Sequence, residues 1–322
     1  MMLGFSALPP ERTTSAYIGA IATAAQYGDI LLIHRTPPWE DFLPGSDISS
    51  QTADLTRLET QLLDQYGHLK LVFAIDPTDP AVQRARIADL PPQFDPQEGF
   101  KNPQIRQAFV AYTAYVVKNY EPEYLALGME VNMLRDRAPG QYAAFLSLYE
   151  EAFTVAREAN PATKIFPTFQ LEDLEGLLDR PHDPRWDILD DFRGRMDVLA
   201  VTTYPYLTGV RSAAQIRPGY YAQLRERFTG EIMIVEAGYA SAPVPGQPTL
   251  GTERDQQQFL ERLLGDAEAN GFAAVIWFAA LDPVFATQGP AAVLKDIGLR
   301  RSDGANKLAW ETWEQWARRP LE

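Results

Sequence analysis

Short apolar runs recur along the chain, and nearly all are followed by a stretch with helical spacing. The runs occupy residues 2–7, 30–35, 70–76, 124–129, 164–170, 197–204, 231–236 and 273–279. They are apolar on both faces instead of alternating, which is how strands of a parallel sheet read when helices cover both sides. Helical periodicity fills the intervals at 14–27, 53–66, 105–119, 141–160, 220–228 and 252–270, and an amphipathic WETWEQW segment closes the chain at 310–316. The punctuation agrees. Gly28, Gly67 and Gly271 follow three of these helices, Pro103 suits a first helical turn, and Thr252 stands three residues before Asp255 in a capping-box start. Pro167 lies inside the fifth run and weakens it as a strand, because proline cannot donate to a ladder.

Eight strands alternating with helices predict an α/β protein of the (β/α)8 TIM-barrel class, one domain over residues 1–322. An open Rossmann-like sheet is the runner-up. Against it, residues 4–12 read GFSALPPER, with no Gly-rich phosphate turn after the first strand. The long Pro-containing loop at 77–102 is expected as an ordered excursion, and no repeat or Gly/Ser-rich linker marks a second domain.

Charge and composition narrow the partners. Asp and Glu number 43 against 29 Lys and Arg, a formal charge of −14, so nucleic acid and anionic membranes are not expected partners. There is no cysteine, which excludes disulfides, thiolate metal sites and a cysteine nucleophile. The histidines, His34, His68 and His182, form no HxH or HExxH motif, so neither metal nor cofactor is expected. No apolar run approaches the ~20 residues of a membrane span, and no leader is visible, since residues 2–7 read as the first strand. A monomer is expected. The compartment is open, with an extracellular or periplasmic setting following if the substrate is a polysaccharide.

In a parallel barrel every strand delivers its C-terminal residue to one face, and chemistry gathers there. The strand-end residues are Ser6, Arg35, Asp76, Glu130, Gln170, Tyr204, Glu236 and Trp277 or Phe278. Glu130 and Glu236 stand out, because an acid closing a buried apolar run needs a reason. Carboxylates, a guanidinium, a phenol and indoles together furnish a sugar site. Rings stack on pyranoside faces, and acids and amides bond the hydroxyls.

The segments YLALGMEVNM (124–133), IVEAGYAS (234–241) and TTYPY (202–206) resemble the retaining glycoside hydrolases built on (β/α)8 barrels, with families 53, 17 and 5 similar by eye. The resemblance implies Glu130 as general acid/base, Glu236 as nucleophile, Tyr204 as the phenol bonding the nucleophile, Arg35 as the cation beside it, and Trp277 as a sugar platform. That family usually has Asn immediately before its acid/base, and here Met129 takes the place, with Asn132 nearby. Trp39, Asp76, Asn132 and Gln170 are further candidate substrate contacts or supports. Arg35 has a duller alternative, pairing with Glu40 or Asp41 in the following loop. Trp310, Trp313 and Trp316 are expected to pack the last helix. The resulting expectation is double-displacement hydrolysis of a β-linked glycan or glycoside. A barrel that binds carbohydrate without turnover is the alternative, and Met129 is the residue that suggests it. Sugar preference would depend on the loops after strands two, three and seven.

Overall fold

The apolar runs form strands because each presents branched and aromatic side chains to both sides of a sheet. In the computed structural model, which describes residues 1–243, 251–286 and 288–320, these are β1 (Met2–Ser6), β2 (Ile30–Arg35), β3 (Lys70–Ile75), β4 (Tyr124–Leu127), β5 (Lys164–Phe166), β6 (Thr168–Gln170), β7 (Val198–Thr203), β8 (Glu231–Ala237) and β9 (Ala274–Trp277). The helices are α1 (Thr14–Tyr27), α2 (Trp39–Phe42), α3 (Ser50–Gln65), α4 (Pro103–Tyr120), α5 (Val131–Arg137), α6 (Pro139–Ala159), α7 (Leu171–Leu174), α8 (Ala222–Arg227), α9 (Glu253–Ala269) and α10 (Leu308–Ala317). Strand order in the sheet is β5-β4-β3-β2-β1-β9-β8-β7-β6, the arrangement of a parallel (β/α) barrel. Among the described residues nine strands appear where eight are expected, because Pro167 divides the fifth run into β5 and β6.

Two compact units divide the chain, one made of residues 1–32, 171–184 and 199–322, the other of 33–170 and 185–198. In the first, β1 pairs in parallel with the start of β2 and with β9, and β8 pairs with β9. The ring of Phe5 lies 4.4 Å from Trp313 and 6.2 Å from Trp310, centroid to centroid, so Trp310 and Trp313 pack the last helix against the sheet, while Trp316 lies under the Arg319 guanidinium. At the start of α9 the Thr252 hydroxyl accepts from the Asp255 N–H and the Asp255 carboxylate accepts from Thr252, completing the expected capping box. In the second unit β3, β4 and β5 run parallel, with Ala74 beside Ala126 and Ala126 beside Phe166. Asn102 caps α4 with its side chain, and Pro103 occupies the first turn, where its missing N–H costs nothing.

Candidate active site

Glu236 sits in β8 where the ladder to β9 slips. Ile234 pairs with Val275 but Ala237 with Trp277, so three steps along β8 match two along β9. Such a bulge re-aims side chains, and Val235 and Glu236 are the residues within it. The carboxylate is buried at 3% exposure and accepts a hydrogen bond of 3.1 Å from the Tyr204 hydroxyl at Oε2. Tyr204 is placed by a second acid. Glu172, wholly buried on α7, accepts from the Tyr204 N–H at 3.0 Å, the Thr203 hydroxyl at 2.6 Å and the Tyr220 hydroxyl at 3.2 Å. Burial, reinforced by the Glu172 charge, pushes the Tyr220 phenol well above its ordinary value. Gly238 makes room for this packing, since a Cβ there would stand 2.1 Å from Ile297 Cδ1 and 3.0 Å from the Tyr204 ring.

Trp277, expected as a sugar platform, is instead a core residue. It has 0% exposure and its indole N–H donates to the Ile297 carbonyl at 2.8 Å. The next residue alternates to the other face. Phe278 is half-buried and its ring meets the ring of Tyr204, the tyrosine that bonds Glu236, edge-on at 6.3 Å.

Glu130 follows β4 through a tight turn at Gly128, φ +92°, where a Cβ would stand 2.6 Å from the Phe145 ring. Glu130 itself has left-handed backbone angles, φ 52° and ψ 46°, immediately before α5. That conformation is costly for a residue with a Cβ. Its N–H donates to the Thr168 hydroxyl at 2.9 Å, and that hydroxyl also contacts Met129 Sδ at 3.5 Å. Its carboxylate is gripped by Arg84, whose Nε and Nη2 both lie 2.9 Å from Oε2.

Arg84 also donates through Nη1 to Asp76 and to the Thr78 carbonyl. Asp76 accepts from the Thr78 N–H and hydroxyl, and His34 Nε2 lies 2.9 Å from its Oδ2. Burial alone would raise the Asp76 carboxyl, but the Arg84 guanidinium and the contacts from His34 and Thr78 outweigh it and hold the group below its ordinary range. Asp76, expected as a substrate contact, is therefore a buried anchor for Arg84. Asn132 is a support too. Its carboxamide donates to the Gln170 carbonyl at 3.0 Å and accepts from the Gln170 N–H at 2.8 Å, tying α5 to β6.

Arg35 forms a two-pronged pair with Glu59 of α3 at 3.1 and 2.5 Å, and Tyr120 adds its hydroxyl to Glu59 at 2.5 Å. Neighbouring Tyr112 is pushed up to about 12, first by burial and against the opposing pull of Arg35. Trp39, the first residue of α2, is buried at 2% exposure with its N–H on the Ala88 carbonyl, the placement of a support. A cavity of about 630 Å³ adjoins it, lined among others by Arg35, Pro91, Tyr112 and Tyr115. Glu130, Arg84 and Asp76 do not line this cavity.

Sequence reasoning missed Arg84, Glu172 and Thr168. Arg84 lies in the long loop after β3, and its length was the only signal. Among the described residues there is no cluster of His, Asp or Glu suited to a metal ion, and no helix is long and apolar enough to cross a membrane. Part of the loop after β8, one of the expected determinants of sugar preference, falls at 244–250, outside the described residues.

No protein-family model matches this chain, and no curated protein sequence does either. Solved structures do. An exo-beta-1,4-mannosidase, Op5Man5 from Opitutaceae bacterium strain TAV5, superposes with a TM-score of 0.73 at 17% identity, over 98% of this chain and 59% of its own. A GH5_18 protein from Bifidobacterium longum subsp. longum matches with a TM-score of 0.74 at 14% identity, over 98% of this chain and 78% of its own. The beta-glycosidase BGL167 matches with a TM-score of 0.66 at 13% identity, over 95% of this chain and 87% of its own. The chain spans less than two thirds of the mannosidase. The chain has the barrel fold of these glycoside hydrolases, as the resemblance in its sequence implies.

Proposed function

We propose that the chain is a retaining glycoside hydrolase acting on a β-linked glycan or glycoside, with Glu236 as nucleophile and Glu130 as acid/base. The observation that carries the reading is Glu236 at a strand bulge with a phenol donating to its carboxylate. The phenol holds the carboxylate in one orientation, as a group that attacks an anomeric carbon must be held. In the first step Glu236 bonds to that carbon while the glycosidic oxygen leaves with a proton from Glu130. In the second, Glu130 takes a proton from water as the water oxygen displaces Glu236. Such a mechanism needs the two carboxyl groups about 5–5.5 Å apart, against roughly 6.5–9.5 Å for inversion.

The solved relatives suggest where to begin: one is a beta-1,4-mannosidase by name and others are beta-glucuronidases. A panel of aryl β-mannosides, β-glucosides, β-galactosides and β-glucuronides, with β-glycans beside them, tests the activity. Glu236→Ala is expected to abolish hydrolysis without lowering the melting temperature. A 2-fluoro glycoside is expected to label the peptide carrying Glu236. Wild-type protein inert across the panel would sink the proposal. The second reading, a carbohydrate-binding barrel without turnover, is favoured by Met129 where such enzymes usually have Asn, and binding without hydrolysis would support it.

A further inference from the structure

The guanidinium on Glu130 suggests a role that the two carboxylates do not cover. We propose that Arg84 is the positioning residue for the proton donor, an inference that rests on the proposed hydrolase reading. Both bonds from Arg84, at Nε and Nη2, fall on Glu130 Oε2. They hold the carboxyl group by Oε2, and Oε1 takes the proton-carrying role in this reading. Arg84 is itself held. Its side chain is only 4% exposed, and Nη1 is committed to Asp76 and to the Thr78 carbonyl.

The backbone reinforces the grip. Gln83 and Arg84 are consecutive left-handed residues, with φ 53° and 67°, in a turn closed by the bridge between Thr78 and Ile87 and by the Arg84 N–H on the Asp79 carbonyl. Two non-glycine residues in that region mark a loop shaped to aim the side chain between them and the site. Asp76, with His34 behind it, supplies the opposing anchor.

The chemistry says what this aim achieves. As the bond from the anomeric carbon to the leaving oxygen breaks, its electron pair goes to that oxygen, and the proton passes there from Glu130 Oε1. The leaving group departs as an alcohol and Glu130 is left as a carboxylate facing Arg84. A dinitrophenyl group departs as a stable phenolate and needs no proton. The demand on Arg84 therefore depends on the leaving group.

The test is kcat/KM for an alkyl glycoside or disaccharide and for the matching dinitrophenyl glycoside, in wild type, Arg84→Met and Arg84→Lys. Arg84→Met is expected to lose about 100-fold on the poor leaving group, within the range general acids contribute, and to change little on the dinitrophenyl substrate. Arg84→Lys, a point charge that cannot fork, is expected to fall between. If Arg84→Met does not fold, the same ratio in Arg84→Lys decides. Equal losses on both substrates, or none on either, would overturn the positioning role while the hydrolase reading stands. Wild type inert on both substrates overturns the hydrolase reading, and the inference with it.

Discussion

The Tyr204 hydroxyl stands 3.1 Å from Glu236 Oε2, and the backbone N–H of the same tyrosine is bound by Glu172, so one buried acid places the donor that serves another. The two carboxylates are thus not equivalent. Glu172 is spent on structure, accepting from three groups, while Glu236 receives one phenol at the bulge.

Tyr204→Phe removes that donor and nothing else of size. A hydrogen bond to a charged group is worth about 1.5–3 kcal/mol, so kcat/KM is expected to fall by roughly 10- to 150-fold, with little change in melting temperature. Steady-state kinetics beside a thermal melt checks it. An unchanged rate would mean that the phenol does not act on the reacting carboxylate.

Asp76 gives a pH signature. Its carboxyl is held below its ordinary value in the folded chain, so its contribution to stability is fully present above the unfolded-state value, about 3.9, and is lost as pH falls through the lower folded value. Asp76→Asn is expected to cost about 3 kcal/mol at neutral pH, as when a buried pair loses one partner. The gap between the urea midpoints of variant and wild type should close as pH drops below about 4. A gap that stays constant with pH would contradict the assignment.

Glu59 is wholly buried and carries Arg35 and Tyr120. Glu59→Ala strands a guanidinium among the rings of Phe73 and Tyr120, and a loss of about 3–5 kcal/mol is expected in denaturant titration. A loss under about 1 kcal/mol, the worth of an exposed pair, would show the contact to be loose.

The paired substitutions Trp277→Ala and Phe278→Ala separate core from site. The first opens a cavity in a packed interior and should cost about 3–5 kcal/mol of stability. The second, on a half-buried ring beside Tyr204, should raise KM for a bound glycoside and leave the fold intact. Swapped outcomes would restore the tryptophan as the platform.

That pair also shows what could be read from the chain alone. The strands were legible because apolar runs of six to eight residues fix their own type, and α1 and β2 occur at the residues the pattern predicts. Glu130 and Glu236 were legible because a charge at the end of a buried run is conspicuous. Phase was not. Whether Trp277 or Phe278 faces the site turns on strand pairing, and the bulge beside Glu236 shifts that pairing without any signature in residues 231–237. Arg84 was hidden for another reason. Its partners, Asp76 and Glu130, lie 8 and 46 residues away, and no periodicity relates a loop arginine to two strand ends.

The left-handed backbone at Glu130 sets two costs against each other. Glycine or asparagine would adopt φ 52° and ψ 46° more easily. Either replacement would take the carboxylate away from Arg84, a buried guanidinium that holds it through Nε and Nη2, and breaking a buried pair costs more than one relaxed residue returns.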